Sequence, residues 1–249
     1  MPIPLTALLV LSVSCAQRWA WLKASFSMEV VLIACAKGKA KGGLPWNGGE
    51  RDRLFEGTSE LTMALMSARH DLAVQLRCYP GEDLGFAATP ASLRFLPAYK
   101  RYRGELYRAS QLADSYPTPG IRVLIISALY GLLDASEAIR CYELPIQGIP
   151  PFSVRPQVWW PSQDLGGMVE ERILSLGPTA VHDLLSKSYR AVLRPWPRPS
   201  FAGLDPPRGS PQQPLGPTYQ PFDPPPGAPN SNTLRGRKLL EILQASKLK

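Results

Sequence analysis

Two short, predominantly apolar runs constrain this chain more than any other feature. EVVLIAC (residues 29–35) and IRVLIIS (residues 121–127) are rich in β-branched residues and lack the in-out alternation of a strand with one wet face. A strand that is apolar on both sides must be covered on both sides, and a sheet with helices on each face does this. Between the runs, Leu61, Ala64, Leu65, Ala68 and Leu72 recur at helical spacing. They predict an amphipathic helix over residues 58–73, with Thr58 as its N-cap. The fold class expected is therefore α/β: a single domain with a mostly buried mixed sheet flanked by helices, plus a disordered Pro-rich tail and a short C-terminal helix.

The boundaries follow from composition. Residues 168–176 and 180–193 read as helices separated by Gly177-Pro178. Proline then fills more than a third of positions 195–229 without apolar periodicity, the signature of an extended linker. The packed domain is expected to span residues 28–194 and the disordered linker residues 195–232. Residues 233–249 are expected to form a basic amphipathic helix, in which five basic residues against Glu241 leave about +4. At the other end, the apolar run within residues 5–13 has no preceding positive charge and falls short of the ~20 residues that cross a bilayer. Met28 stands directly before the first strand, so residues 1–27 are either an upstream stretch or a signal-like extension.

A formal charge of +8 and a pI near 9.5 favour an anionic partner, nucleic acid or an anionic lipid surface. Four cysteines, at 15, 35, 78 and 141, have neither zinc-ribbon spacing nor the density of a secreted scaffold. A reduced, cytoplasmic setting is the simpler expectation. Only His70 and His182 are present, which excludes a multi-histidine metal site, and no cofactor is expected.

Four blocks carry chemistry: IACAK (33–37), YRGELY (102–107), ISALYGLL (126–133) followed by IRCYEL (139–144), and LSKSYRAV (185–192). In this order they resemble the peroxide-stress protein family YaaA, whose corresponding blocks read I-S-P-A-K, Y-x-G-D-V-Y, L-S-G-L-Y-G-L-L with I-x-P-Y-R-L, and A-S-x-E-Y-x-K-A-V. Similar blocks occur in shorter, uncharacterised bacterial and phage proteins. The chain departs from the pattern at Cys35 for proline, Glu105 for aspartate, Ala128 for glycine and Ser188 for glutamate. The last change removes a carboxylate.

The resemblance, together with the placement of both turns after buried strands, implies a ligand site built from Lys37, Ser127, Tyr130, Gly131, Tyr142, Ser186 and Tyr189. Lysine offers a point charge to phosphate, serine donates or accepts, and tyrosine stacks on a base. Each has a plainer alternative. Lys37 with Lys39 and Lys41 is otherwise a solvated loop, Ser127 a strand-end satisfier, the tyrosines packing residues, and Gly131 a backbone requirement. Lys37 and Glu105 are the candidate catalytic groups, nucleophile and general acid or base, with Asp134 an alternative carboxylate. Lys100, Arg101, Arg103 and Arg108 alternate with Tyr99, Tyr102 and Tyr107 as a nucleic-acid surface would, or as a solvated face would. His182 and Asp183 read as ordinary helix residues.

Three functions compete. The resemblance implies a cytoplasmic, DNA-associated protein that protects against peroxide damage. A nucleobase- or nucleoside-processing enzyme, cleaving an N-glycosidic bond after base extrusion, would use the same pocket. A non-catalytic interaction protein would recruit a partner through the Pro-rich tail and terminal helix.

Overall fold

The computed structural model describes residues 28–46, 59–85, 90–150, 154–198 and 217–248. The readings of residues 1–27 and the Thr58 cap lie outside them. Five strands make the main sheet: β1 (Glu29–Ala34), β3 (Ile121–Ser127), β4 (Gly131–Asp134), β6 (Ala180–Asp183) and β7 (Thr218–Pro221). Their order across the sheet is β4-β3-β1-β6-β7. β1 runs parallel to β3 and to β6, β6 runs parallel to β7, and β4 turns back antiparallel to β3. A separate two-stranded ribbon pairs β2 (Phe95–Pro97) with β5 (Ala138–Arg140). The mixed α/β sheet expected from the two apolar runs is the one observed, and Val30 to Ile33 and Val123 to Ile126 are completely buried.

Eight helices surround the sheet among the described residues. α1 (Ser59–Gln75) buries Leu61, Leu65, Ala68 and Leu72, four of the five residues that carried its periodicity, and leaves Ala64 exposed. The basic segment divides into α2 (Ala98–Arg101), α3 (Glu105–Ser110) and α4 (Leu112–Ser115). α5 (Pro156–Ser162) and α6 (Leu165–Leu176) follow, then α7 (Lys187–Arg190) and α8 (Ser231–Lys247). None is long and apolar enough to cross a membrane.

One ion pair ties the sheet edge to α1. Arg69 is fully buried, and it donates to both carboxylate oxygens of Glu137 and to the carbonyls of Tyr130 (2.8 Å) and Leu132 (2.5 Å). It thereby satisfies backbone groups that the β3–β4 turn leaves unpaired.

Two expectations are corrected. Residues 180–183 form a strand, because pairing with Glu29 to Leu32 of β1 outweighs a periodicity that four residues, only Ala180 and Val181 of them apolar, leave ambiguous. His182 and Asp183 are thus strand residues. The Pro-rich segment is likewise not wholly a linker, since Thr218–Pro221 add β7 to the sheet. Pro217 and Pro221 are tolerated there because an edge strand need not offer every N–H to a neighbour. The tail is clamped by the buried Asp183 carboxylate, which accepts from the Leu185 N–H (2.8 Å), Arg190 Nε (2.8 Å), Trp196 Nε1 (3.1 Å) and the Tyr219 hydroxyl. α8 then buries Leu239, Ile242 and Leu243, each worth roughly 1.5–3 kcal/mol. The packed unit therefore extends past residue 194 to include both elements.

Candidate functional site

The chain leaves β1 for β3 on one side and later returns to β6 on the other. At such a reversal the loops leaving adjacent parallel strands diverge, and a crevice opens beyond their carboxyl ends. A cavity of about 500 Å³ lies there. Cys35, Ala36, Lys37 and Lys39 form the wall after β1, and Ser188 and Tyr189 on α7 form the wall after β6. The third wall, residues 143–149, mixes polar Glu143 and Gln147 with apolar Leu144, Pro145, Ile146 and Ile149.

The lysine loop is held by the basic segment. Lys39 bridges Tyr102 in antiparallel fashion, the Ala40 N–H donates to the Arg101 carbonyl (2.7 Å), and the Arg103 N–H donates to the Gly38 carbonyl (2.7 Å). The strands approach so closely that a Cβ on Gly38 would sit 2.5 Å from the Arg103 carbonyl oxygen. Two distant sequence blocks thus lie side by side, and Lys37, Lys41, Lys100, Arg103 and Arg108 are all exposed.

Behind the loop, three hydroxyls close a ring. The Tyr102 hydroxyl donates to Ser127 Oγ (3.2 Å), and the Tyr142 hydroxyl is hydrogen bonded to both Ser127 Oγ (2.8 Å) and the Tyr102 hydroxyl (2.8 Å). Burial, reinforced by neighbouring Cys35, pushes both phenols well above their ordinary range, so they remain protonated donors. The Lys39 ammonium lies 4.0 Å from the Tyr142 ring centroid and donates to the Ala36 (3.1 Å) and Lys37 (3.2 Å) carbonyls. Desolvation lowers the Lys39 pKa, while Cys35, Cys141 and Glu143 oppose that shift. Tyr189 shares a hydrogen bond of 3.2 Å with Cys35 Sγ, and burial followed by Cys35 raises its pKa.

Of the residues singled out in the sequence, Lys37 and Tyr189 share this cavity. Ser186 lies just outside, its Oγ 2.9 Å from Ser188 Oγ. Ser127 is wholly buried and, with Tyr142, reaches the cavity only through Lys39. Tyr130 does not line it. Its ring is buried, its hydroxyl donates to Asp83, and it packs 5.4 Å from the Arg69 guanidinium. Gly131 is a packing residue with φ of +67°, and a Cβ there would stand 2.7 Å from the Trp160 ring.

Glu105 opens α3 in solvent, away from the cavity, and Asp134 is buried against Arg122 (3.2 Å) and Arg172 (3.7 Å). Neither faces the cavity walls. Arg101 is not available to phosphate. It is fully buried and donates to the carbonyls of Ala40, Gly42, Arg94 and Ile139. Its three neighbours remain exposed, and Arg103 and Arg108 border a second cavity of about 200 Å³ beside Tyr99, Tyr102 and Tyr107.

Sequence reasoning passed over Lys39, Glu143, Gln147 and Ser188. For Lys39 a signal existed: in an extended loop, residues two apart share a face, so Lys37 and Lys39 belonged together. The wall at residues 143–149 carries no periodicity and left no such trace. Among the described residues, no group of three or more His, Cys, Asp or Glu is placed to hold a metal ion. No protein-family model matches the chain, and no curated protein matches its sequence.

Proposed function

We propose that this chain is a DNA-associated protein whose switch-point cavity receives one unpaired nucleotide while the adjoining cations follow the phosphates. The observation that carries the reading is the pairing of the lysine loop with the basic segment. It sets Lys37 at the rim of a cavity that offers Tyr189 and an apolar wall, and on the paired segments beside it Lys41, Lys100, Arg103 and Arg108 are exposed, Arg103 and Arg108 bordering the second cavity. Phosphates are neutralised at the rim, and a base finds a ring and apolar surface inside, where stacking is worth roughly 1–3 kcal/mol. The four-block resemblance to the YaaA family supports assigning this binding to protection of DNA against peroxide damage. A cytoplasmic setting is in keeping with the free thiols of Cys35, Cys78 and Cys141.

Fluorescence anisotropy of a labelled oligonucleotide across a salt series tests the reading. Five phosphate contacts predict a slope of log K against log salt of about −3.5 to −4.5. Weak binding that ignores salt would refute it.

A second reading, an enzyme acting on a nucleobase or nucleoside, is favoured by the convergence of Lys39, Glu143 and Tyr189 on one cavity. Incubation with modified and unmodified DNA should then release free base. No release across a broad panel removes that reading and leaves the binding proposal intact.

A further inference from the structure

Lysine at position 39 is set apart from the other lysines of its loop. Lys37 and Lys41 extend into solvent, whereas the Lys39 side chain is half-buried, lies over the Tyr142 ring and still borders the cavity. An amine in this position has lost much of the water that favours its charged form, and its pKa is correspondingly lowered. A lysine desolvated against an aromatic ring holds its proton less tightly than one in water, and the free amine is the nucleophile. The groups that imine chemistry needs stand around it. Glu143 and the Tyr189 hydroxyl border the same space, one able to take a proton and the other to give one.

We infer that Lys39 is a reactive amine that condenses with a carbonyl carbon presented in the cavity, and that the carbonyl is the aldehyde of a base-less deoxyribose in DNA. The inference rests on the nucleotide-binding reading above and names the substrate class for that site. In the first step the Lys39 Nζ lone pair forms a bond to the aldehyde carbon, the carbonyl pair moves onto oxygen, and that oxygen takes up a proton. Nitrogen releases one proton to give the neutral carbinolamine. Its hydroxyl then takes up a second proton and leaves as water while the nitrogen lone pair forms the C=N bond and nitrogen releases its second proton. The balance is one amine and one aldehyde giving one imine and one water. An abasic sugar suits the site because its phosphates meet the exposed cations while the missing base leaves the sugar carbon free to approach Nζ.

Borohydride trapping tests this with the full chain. A duplex carrying one aldehydic abasic site is incubated with the protein and sodium cyanoborohydride, beside a duplex carrying a tetrahydrofuran analogue that has no aldehyde. Hydride adds to the imine carbon and leaves a stable secondary amine, which peptide mass mapping then locates. The expected result is a covalent complex with the aldehydic duplex alone, mapped to Lys39. Lys39→Arg, which keeps a cation over Tyr142, should reduce trapping at least tenfold. Lys238→Arg, on α8 and outside the site, should trap as the wild type does.

An adduct mapped to another lysine overturns the inference. So does tight binding of the abasic duplex without any adduct, and that result leaves the DNA-binding reading standing. Failure of both duplexes to bind refutes the DNA-binding reading itself, and the inference falls with it.

Discussion

Asp183→Asn tests whether the tail is part of the machinery or an appendage. The Asp183 carboxylate is fully buried and accepts from four donors, three of which converge on Oδ2. An asparagine presents one oxygen and one NH2. If the oxygen faces Arg190, Trp196 and Tyr219, the NH2 confronts the Leu185 N–H, and the reverse orientation sets it against the other three. Removing one partner of a buried ion pair costs about 3–5 kcal/mol. Arg190 also reaches Asp223 at 2.6 Å, so it keeps a partner, and the loss should fall near the lower bound, ~3 kcal/mol. For a chain of this size that is a fall in Tm of roughly 6–12 °C.

Urea denaturation of Asp183→Asn, Arg190→Met and the double variant measures both the loss and the coupling. The coupling energy should exceed about 1 kcal/mol, as expected for direct contact. Because α7 carries Ser188 and Tyr189 beside Arg190, the variant should also weaken DNA binding while the domain remains folded. A loss below about 1 kcal/mol with unchanged affinity would refute the reasoning.

Two other perturbations probe the frame. Gly131→Ala places a methyl in the left-handed region and against Trp160, and should cost about 2–4 kcal/mol by chemical denaturation. Burial raises Glu137 from the ordinary 4.5 to about 7, against the opposing pull of Arg69. A raised carboxyl binds its proton more tightly when folded, so its contribution is complete below about pH 4.5, declines as pH rises and is gone above about 7. The difference in pH dependence between wild type and Glu137→Gln across that window should be on the order of 3 kcal/mol, and parallel curves would contradict it.

What the sequence revealed divides along physical lines. β1 and β3 were legible because a strand covered on both faces must be apolar throughout, and such runs have few other uses. β6 was not, since four residues cannot display a period and its identity comes from its partner strand. β7 was hidden by its prolines, which composition reads as disorder although an edge position accepts them. The site shows the same division. Lys37 and Tyr189 could be placed together only through the resemblance of their blocks, because the strand that precedes Tyr189 was itself read as helix. Arg101 and Tyr130 could not be told from surface groups, because a buried guanidinium or phenol is chosen by the carbonyls and carboxylates that happen to face it. The irregular wall from Glu143 to Ile149 is positioned wholly by its surroundings and carried no pattern of its own.

The central claim is that the cavity recognises an unpaired nucleotide and the rim recognises phosphate. Comparing affinities for a duplex with one unpaired nucleotide and for its fully paired counterpart separates the two. With stacking worth roughly 1–3 kcal/mol, the wild type should prefer the unpaired duplex by about 5- to 150-fold. Ile149→Trp, which fills the cavity from its apolar wall and leaves the rim cations in place, should bring that ratio close to one while preserving the salt slope. Equal affinity of the wild type for both duplexes, or a preference untouched by the substitution, would contradict the account.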